Sequence, residues 1–205
     1  MTYMQFTALN QNYKNSIMLW LITLTIMVFL IIIIGGLTRL TDSGLSMVDW
    51  QPILGTIPPL NNNQWQEVFN DYKLTPEFLY VNKNMTLDEF KYIFWWEWFH
   101  RFFARLIGLV FIIPFIYFLI KKNLNSFFYK RFSIIFSLGL FQALVGWWMV
   151  KSGLSDDPFV SPYRLTFHLT NAVIIYALLL WTSVEYYLSL IHTDAADERH
   201  CVYLG

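Results

Sequence analysis

Residues 86–120 read TLDEFKYIFWWEWFHRFFARLIGLVFIIPFIYFLI. This stretch decides the fold. It opens on Thr86-Leu87-Asp88-Glu89, a capping box in which the Thr hydroxyl and the Glu carboxylate satisfy free backbone N–H groups at a helix start. From Phe102 onward it is apolar except for Arg105, and long enough to cross a hydrocarbon layer, which takes roughly 20 residues. Pro114 lies inside the run, where a membrane helix tolerates proline, often with a kink. The first half is unusual for a span, because Glu97, His100, Arg101 and Arg105 interrupt it among tryptophans and phenylalanines.

Working outward, three more segments have the length and apolarity of spans: about Ser16 to Leu40, about Phe132 to Val150, and about Pro162 to Leu190. Ser161-Pro162 places a capping serine before a first-turn proline. The composition agrees. Of 205 residues, 56% are hydrophobic, 20% aromatic and only 14% charged, against about a quarter charged in soluble domains. The expected fold is all-α, a bundle of four transmembrane helices with a long loop between the first two, over residues 1–192, followed by a polar tail at 193–205. Net charge is zero, so nothing points to nucleic acid, and membrane lipid is the expected surrounding. The single cysteine, Cys201, forms no internal disulfide. The polar N-terminus and the long first apolar run do not read as a cleavable signal or a transit peptide.

Loop charge gives an expected orientation. Lys121, Lys122, Lys130 and Arg131 between the second and third spans mark the cytoplasmic side. Asp42, Asp49, Glu67, Asp71, Glu77, Asp88 and Glu89 place residues 41–91 outside, and the N-terminus inside. Within that loop Trp65, Val68, Phe69 and Tyr72 recur at helical spacing over Gln64 to Lys73. This segment reads equally as an amphipathic helix on the membrane surface or as an aromatic-stabilised packed loop.

Ionisable residues inside a span are costly and mark functional sites by default. Glu97 and His100 share a helix face, and Glu97 precedes Arg101 by four residues in the favourable order for an ion pair. An interfacial belt accounts for the tryptophans and arginines, and a simple Glu97–Arg101 pair is the plain reading of the carboxylate. His168 lies about two turns into the fourth span, where a lone histidine commonly bonds a neighbouring helix. The two histidines together carry more. Spans two and four run in the same direction, with each histidine in the same part of its span, so both reach one point in the bundle. Two imidazoles without carboxylate or thiolate partners suit heme iron better than a closed zinc site. Arg39, Arg101, Arg105 and Arg164 are candidates for the heme propionates through charge-assisted bonds. Glu97 favours an enzyme over an electron carrier, as a proton acceptor or as a stabiliser of developing positive charge.

Four strings carry a family resemblance: GGLTRLTDSGLSM at 35–47, FWWEWFHR at 94–101, FQALVGWWMVKSGL at 141–154, and SPYRLTFHL at 161–169. In that order they resemble heme A synthases of the mitochondrial and alphaproteobacterial branch, which lack a cysteine pair in the first outer loop. The resemblance implies oxidation of the C8 methyl of heme O to the formyl group of heme A, by two hydroxylations and loss of water. It makes His100 and His168 axial ligands of the substrate heme and Glu97 the functional carboxylate. The family has two four-helix halves, and the strings fall in the first. A heme b is expected in the second, and a truncated or frameshifted product is the expectation for the unfamiliar tail. The implied partners are heme O, the farnesyltransferase that makes it, an electron donor and a second copy of the chain. The implied location is a bacterial inner membrane, ahead of a mitochondrial one. Two other functions remain open: a bis-histidine electron-transfer cytochrome, and a heme-free scaffold for oxidase assembly.

Overall fold

A computed structural model describes residues 13–49, 54–122, 124, 126–155 and 157–203, and only the backbone of residues 54 and 192–203. The side chains of the expected polar tail and the first part of the polar N-terminus therefore lie outside the described residues. Among the described residues the protein is helical, without strands. Helix α1 spans Lys14–Leu40, α2 Asn62–Tyr72, α3 Pro76–Tyr80, α4 Leu87–Ile120, α5 Ser126–Gly153 and α6 Pro162–Tyr203, with a 3-10 turn at Leu54–Thr56. Four segments are long and apolar enough to cross a membrane: Lys14–Leu40, Leu87–Ile120, Ser126–Gly153 and Pro162–Ile191. The expected all-α architecture with four spans is the observed one.

The contacts divide the described residues into two units, and each long helix contributes to both: those within 13–29, 107–139 and 174–203 form one, those within 30–106 and 140–173 the other. In the first unit, Leu21, Leu24, Phe128, Phe132, Leu179 and Tyr186 are fully buried. Pro114 leaves the Val110 carbonyl without its helical donor. The Trp20 indole N–H of α1 fills that vacancy at 2.8 Å, while its ring packs on Phe111, Phe118 and Phe132. Helix α5 starts earlier than expected, so Lys130 and Arg131 lie in its first turns rather than in the loop. The reason is visible in α6: Glu185 takes Arg131 at 3.3 Å and Thr182 accepts from it at 3.4 Å, and partnered charge is tolerated in a helix end.

In the second unit the capping box forms as read. The Thr86 N–H donates to Glu89 Oε2 at 2.7 Å, and Glu89 N–H to Thr86 Oγ1 at 3.4 Å. Helix α1 ends in a Schellman-type turn: Ser43 N–H donates to Thr38 O at 3.0 Å and Asp42 N–H to Arg39 O at 3.3 Å. Asp42 occupies the left-handed position, at φ 47°, which aspartate tolerates better than most residues. Helix α2 is capped by Asn61, whose side chain accepts from Gln64 N–H at 3.0 Å. Its Trp65, Phe69 and Tyr72 are buried against Phe90, Ile93 and Phe94 of α4. The amphipathic face read from the sequence is therefore turned onto protein, as in the packed-loop reading.

Candidate functional site

All the residues singled out from the sequence fall in the second unit. Glu97 is 3% exposed. Its Oε2 accepts from the Ser46 hydroxyl at 2.6 Å and from the Met47 backbone N–H at 2.9 Å. Its Oε1 accepts from Arg101, one turn on. Arg101 also donates to the Met47 carbonyl at 3.2 Å. The Schellman-type turn after α1 is what brings residues 43–47 across to α4. A buried carboxylate is costly unless paired and hydrogen-bonded, and here both oxygens are engaged. The pair expected from the i, i+4 spacing exists, and it is one part of a clamp that also fastens the long loop.

His100 projects from α4 onto Gly35 of α1. A Cβ built on Gly35 would stand 3.1 Å from Cε1 and 3.6 Å from Nδ1 of the ring. His168 projects from α6 onto Gly146 of α5 in the same manner, with the corresponding separations 3.0 and 3.5 Å. Each imidazole is seated on bare helix backbone, which only glycine supplies. The Nδ1 of each ring is buried, with no hydrogen-bond partner among the described residues. His168 Nε2 faces the side-chain amide of Gln142 at 3.2 Å, and that amide also donates to the His168 carbonyl at 3.1 Å.

The arginines are less uniform. Arg101 is committed to Glu97 and Met47. Arg105 follows one turn later on the same face of α4 and is half-buried. Arg164 donates to the Trp148 carbonyl at 2.9 Å and lies 4.5 Å above the Trp148 ring centroid. Arg39 pairs with Asp42 at 2.9 Å, at an exposed position. The sequence reading assigned no role to Gly35, Ser46, Met47, Gln142, Gly146 or Asn171, although each except Asn171 stands in a string that carried the resemblance. A glycine in a span says that something packs closely there, not what packs.

Two imidazoles on glycine seats fit heme better than a small closed metal site. Among the described residues no group of three or more His, Cys, Asp or Glu could hold a metal ion alone. A heme iron asks only for two axial ligands, its other four bonds coming from the porphyrin.

The COX15-CtaA family, described as cytochrome oxidase assembly protein, matches residues 18–202. A heme A synthase of Nitrosospira multiformis is 52% identical over 172 residues, covering 84% of this chain and 48% of its own. One from Flavobacterium psychrophilum is 51% identical over 174 residues, covering 84% and 51%. One from Nitrosomonas eutropha is 46% identical over 194 residues, covering 93% and 54%. The chain spans about half the length of these curated relatives. No solved structure matches it.

Proposed function

The chain belongs to the COX15-CtaA family of cytochrome oxidase assembly proteins, and on that premise we propose that it forms the substrate-binding half of a heme A synthase. In this reading it binds heme O and serves the oxidation of the C8 methyl group to a formyl group. The observation that carries the reading is the matched pair of seats, His100 on Gly35 and His168 on Gly146, in the same unit as a buried Glu97 hydrogen-bonded through both oxygens.

Bound heme supplies the iron and the reactive methyl group. The chain's own residues do the rest. His100 and His168 hold the iron from their two helices. Arg101 and Arg164 have N–H donors beyond those their protein partners take, since a guanidinium offers five, and with Arg105 they meet the propionates. Ser46, Met47 and Arg101 hydrogen-bond both Glu97 oxygens and fix the carboxylate in place. A carboxylate held in this way suits stabilising positive charge that develops at the porphyrin edge better than it suits proton transfer, because it needs no reorganisation during the reaction. Electrons and the second half of the machine come from partners: an electron donor, a heme b in a C-terminal half, and the farnesyltransferase that delivers heme O. The setting is a bacterial inner membrane, with the N-terminus cytoplasmic.

The test is pigment analysis. The chain is purified from cells that make heme O, and its heme is extracted and identified. Heme O, lost in His100→Ala and His168→Ala, is the expected result. Heme b alone, with an unchanged spectrum in Glu97→Gln, points to an electron carrier. A preparation without a Soret band from heme-replete cells overturns the heme reading in favour of an assembly scaffold.

A further inference from the structure

Gln142 and Gly146 lie four residues apart on α5 and therefore share a helix face. Both meet the His168 ring. Gly146 supports its Cε1–Nδ1 edge, and Gln142 stands at Nε2. The orientation of the Gln142 amide follows from its partners. The His168 carbonyl oxygen, 3.1 Å away, can only accept, so the group facing it is the NH2 and not the amide oxygen. The Gln142 Oε1 accepts from the Asn171 side chain at 2.7 Å. Asn171 is buried on α6, three residues beyond His168. With the amide fixed at both ends, its second N–H is directed at His168 Nε2. A neutral imidazole carries a proton on one nitrogen and a lone pair on the other. A proton on Nε2 would set N–H against N–H at 3.2 Å. Nε2 is therefore the acceptor and Nδ1 carries the proton. Nδ1 has no hydrogen-bond partner among the described residues to oppose this.

We propose that Gln142, oriented by Asn171, is a positioning residue that sets the tautomer of His168, keeping the proton off Nε2 so that this nitrogen can bind iron once the amide releases its lone pair. The assignment rests on the heme-ligand reading above. Metal-binding histidines are commonly fixed from the far nitrogen, by an acceptor for its N–H; here the control comes from the ligating side. The bond from Gln142 to the His168 carbonyl does not involve the ring, so α5 stays tied to α6 whether or not Nε2 is engaged elsewhere.

The experiment uses the full chain with ring-15N histidine, heme-free and in lipid, with the His168 signals identified by their loss in His168→Ala. The wild-type protein is expected to show a protonated Nδ1 and an unprotonated Nε2. Gln142→Leu removes the donor, and the tautomers mix. Gln142→Glu, of nearly the same size, offers an acceptor in place of the donor and moves the proton to Nε2. With heme b as probe, transfer to an apo-globin acceptor is expected to run about fivefold slower in Gln142→Leu, because iron no longer has to displace one neutral hydrogen bond from Nε2, and faster than wild type in Gln142→Glu, which holds a proton on that nitrogen. A wild-type His168 protonated on Nε2, or a tautomer unchanged in both variants, overturns the proposal. Because the tautomer is read without heme, a correct tautomer in a chain that takes up no heme through His168 sinks the heme-ligand reading and leaves the Gln142 assignment standing.

Discussion

At the scale of single residues, two absent side chains matter as much as the histidines. Gly35 and Gly146 let the imidazoles lie against helix backbone, at distances a Cβ would make too short. Adding that Cβ obliges each ring to give by a few tenths of an ångström, at the cost of about 1–3 kcal/mol typical of overpacking. Gly35→Ala and Gly146→Ala are thus expected to lower heme affinity roughly tenfold in a titration followed at the Soret band. Gly108→Ala and Gly139→Ala, with nothing within 4 Å of the new Cβ, are expected to leave it unchanged; equal losses in all four would refute the seat. Glu97 is the other decisive residue. Glu97→Gln leaves Arg101 partly buried without its counter-charge, and breaking such a pair from one side costs about 3–5 kcal/mol. The expected readout is faster hydrogen exchange at the Ser46 and Met47 amides, since the clamp on residues 43–47 is lost. Unchanged exchange there would mean that Leu45, packed against Gly153, holds the loop without the carboxylate.

At the scale of elements, the α2–α3 segment carries a titration of its own. Glu77 of α3 is buried beside Tyr72, whose hydroxyl donates to it at 2.9 Å and accepts from Asn82 at 2.8 Å. Burial pushes the Glu77 carboxyl up to about 7, the Tyr72 hydrogen bond only partly opposing it. The sign follows from linkage. Below about pH 4.5 the group is protonated folded or unfolded, and there is no penalty. Between about 4.5 and about 7 the unfolded segment has released its proton while the folded one retains it, so stability falls as pH rises. Above about 7 the loss is complete, on the order of 3 kcal/mol. Protection of the α2 amides from exchange is expected to decline across this window in the wild type and to stay flat in Glu77→Gln. A decline that persists in the variant assigns the titration to another group. The α2 helix was legible in the sequence because Trp65, Phe69 and Tyr72 recur at helical spacing. Its partner was not, because periodicity marks an apolar face without saying whether lipid or α4 covers it.

At the scale of the whole molecule, the four spans and their order follow from the chain itself, while sidedness rests on loop charge. Lys121 and Lys122 lie in the α4–α5 connection, but Arg131 is held by Glu185 and contributes less free charge than a loop reading assumes. The cytoplasmic placement is testable with single cysteines in a Cys201→Ser background. Asp71→Cys is expected to react with an impermeant maleimide in intact cells, and Lys122→Cys only after the membrane is opened. The opposite pattern inverts the topology.

The sequence by itself determined the helical spans, the capping box, the Glu97–Arg101 spacing and the pair of histidines. These are local properties, set by a rise of about 1.5 Å and 3.6 residues per turn, by side-chain chemistry, and by the cost of ionisable groups in lipid. Only the tertiary structure decided which helix each histidine rests on, that Glu97 reaches back to Ser46 and Met47, and that Gln142 and Asn171 stand behind His168. Those contacts join residues 22 to 65 positions apart in the chain. No pattern within one helix encodes them, because they depend on how neighbouring helices turn their faces, and packing sets that turn. What changed most is the meaning of the stretch at 86–120: its acid, histidine and arginine read as an interruption of a span, and the fold shows each already held by another part of the chain.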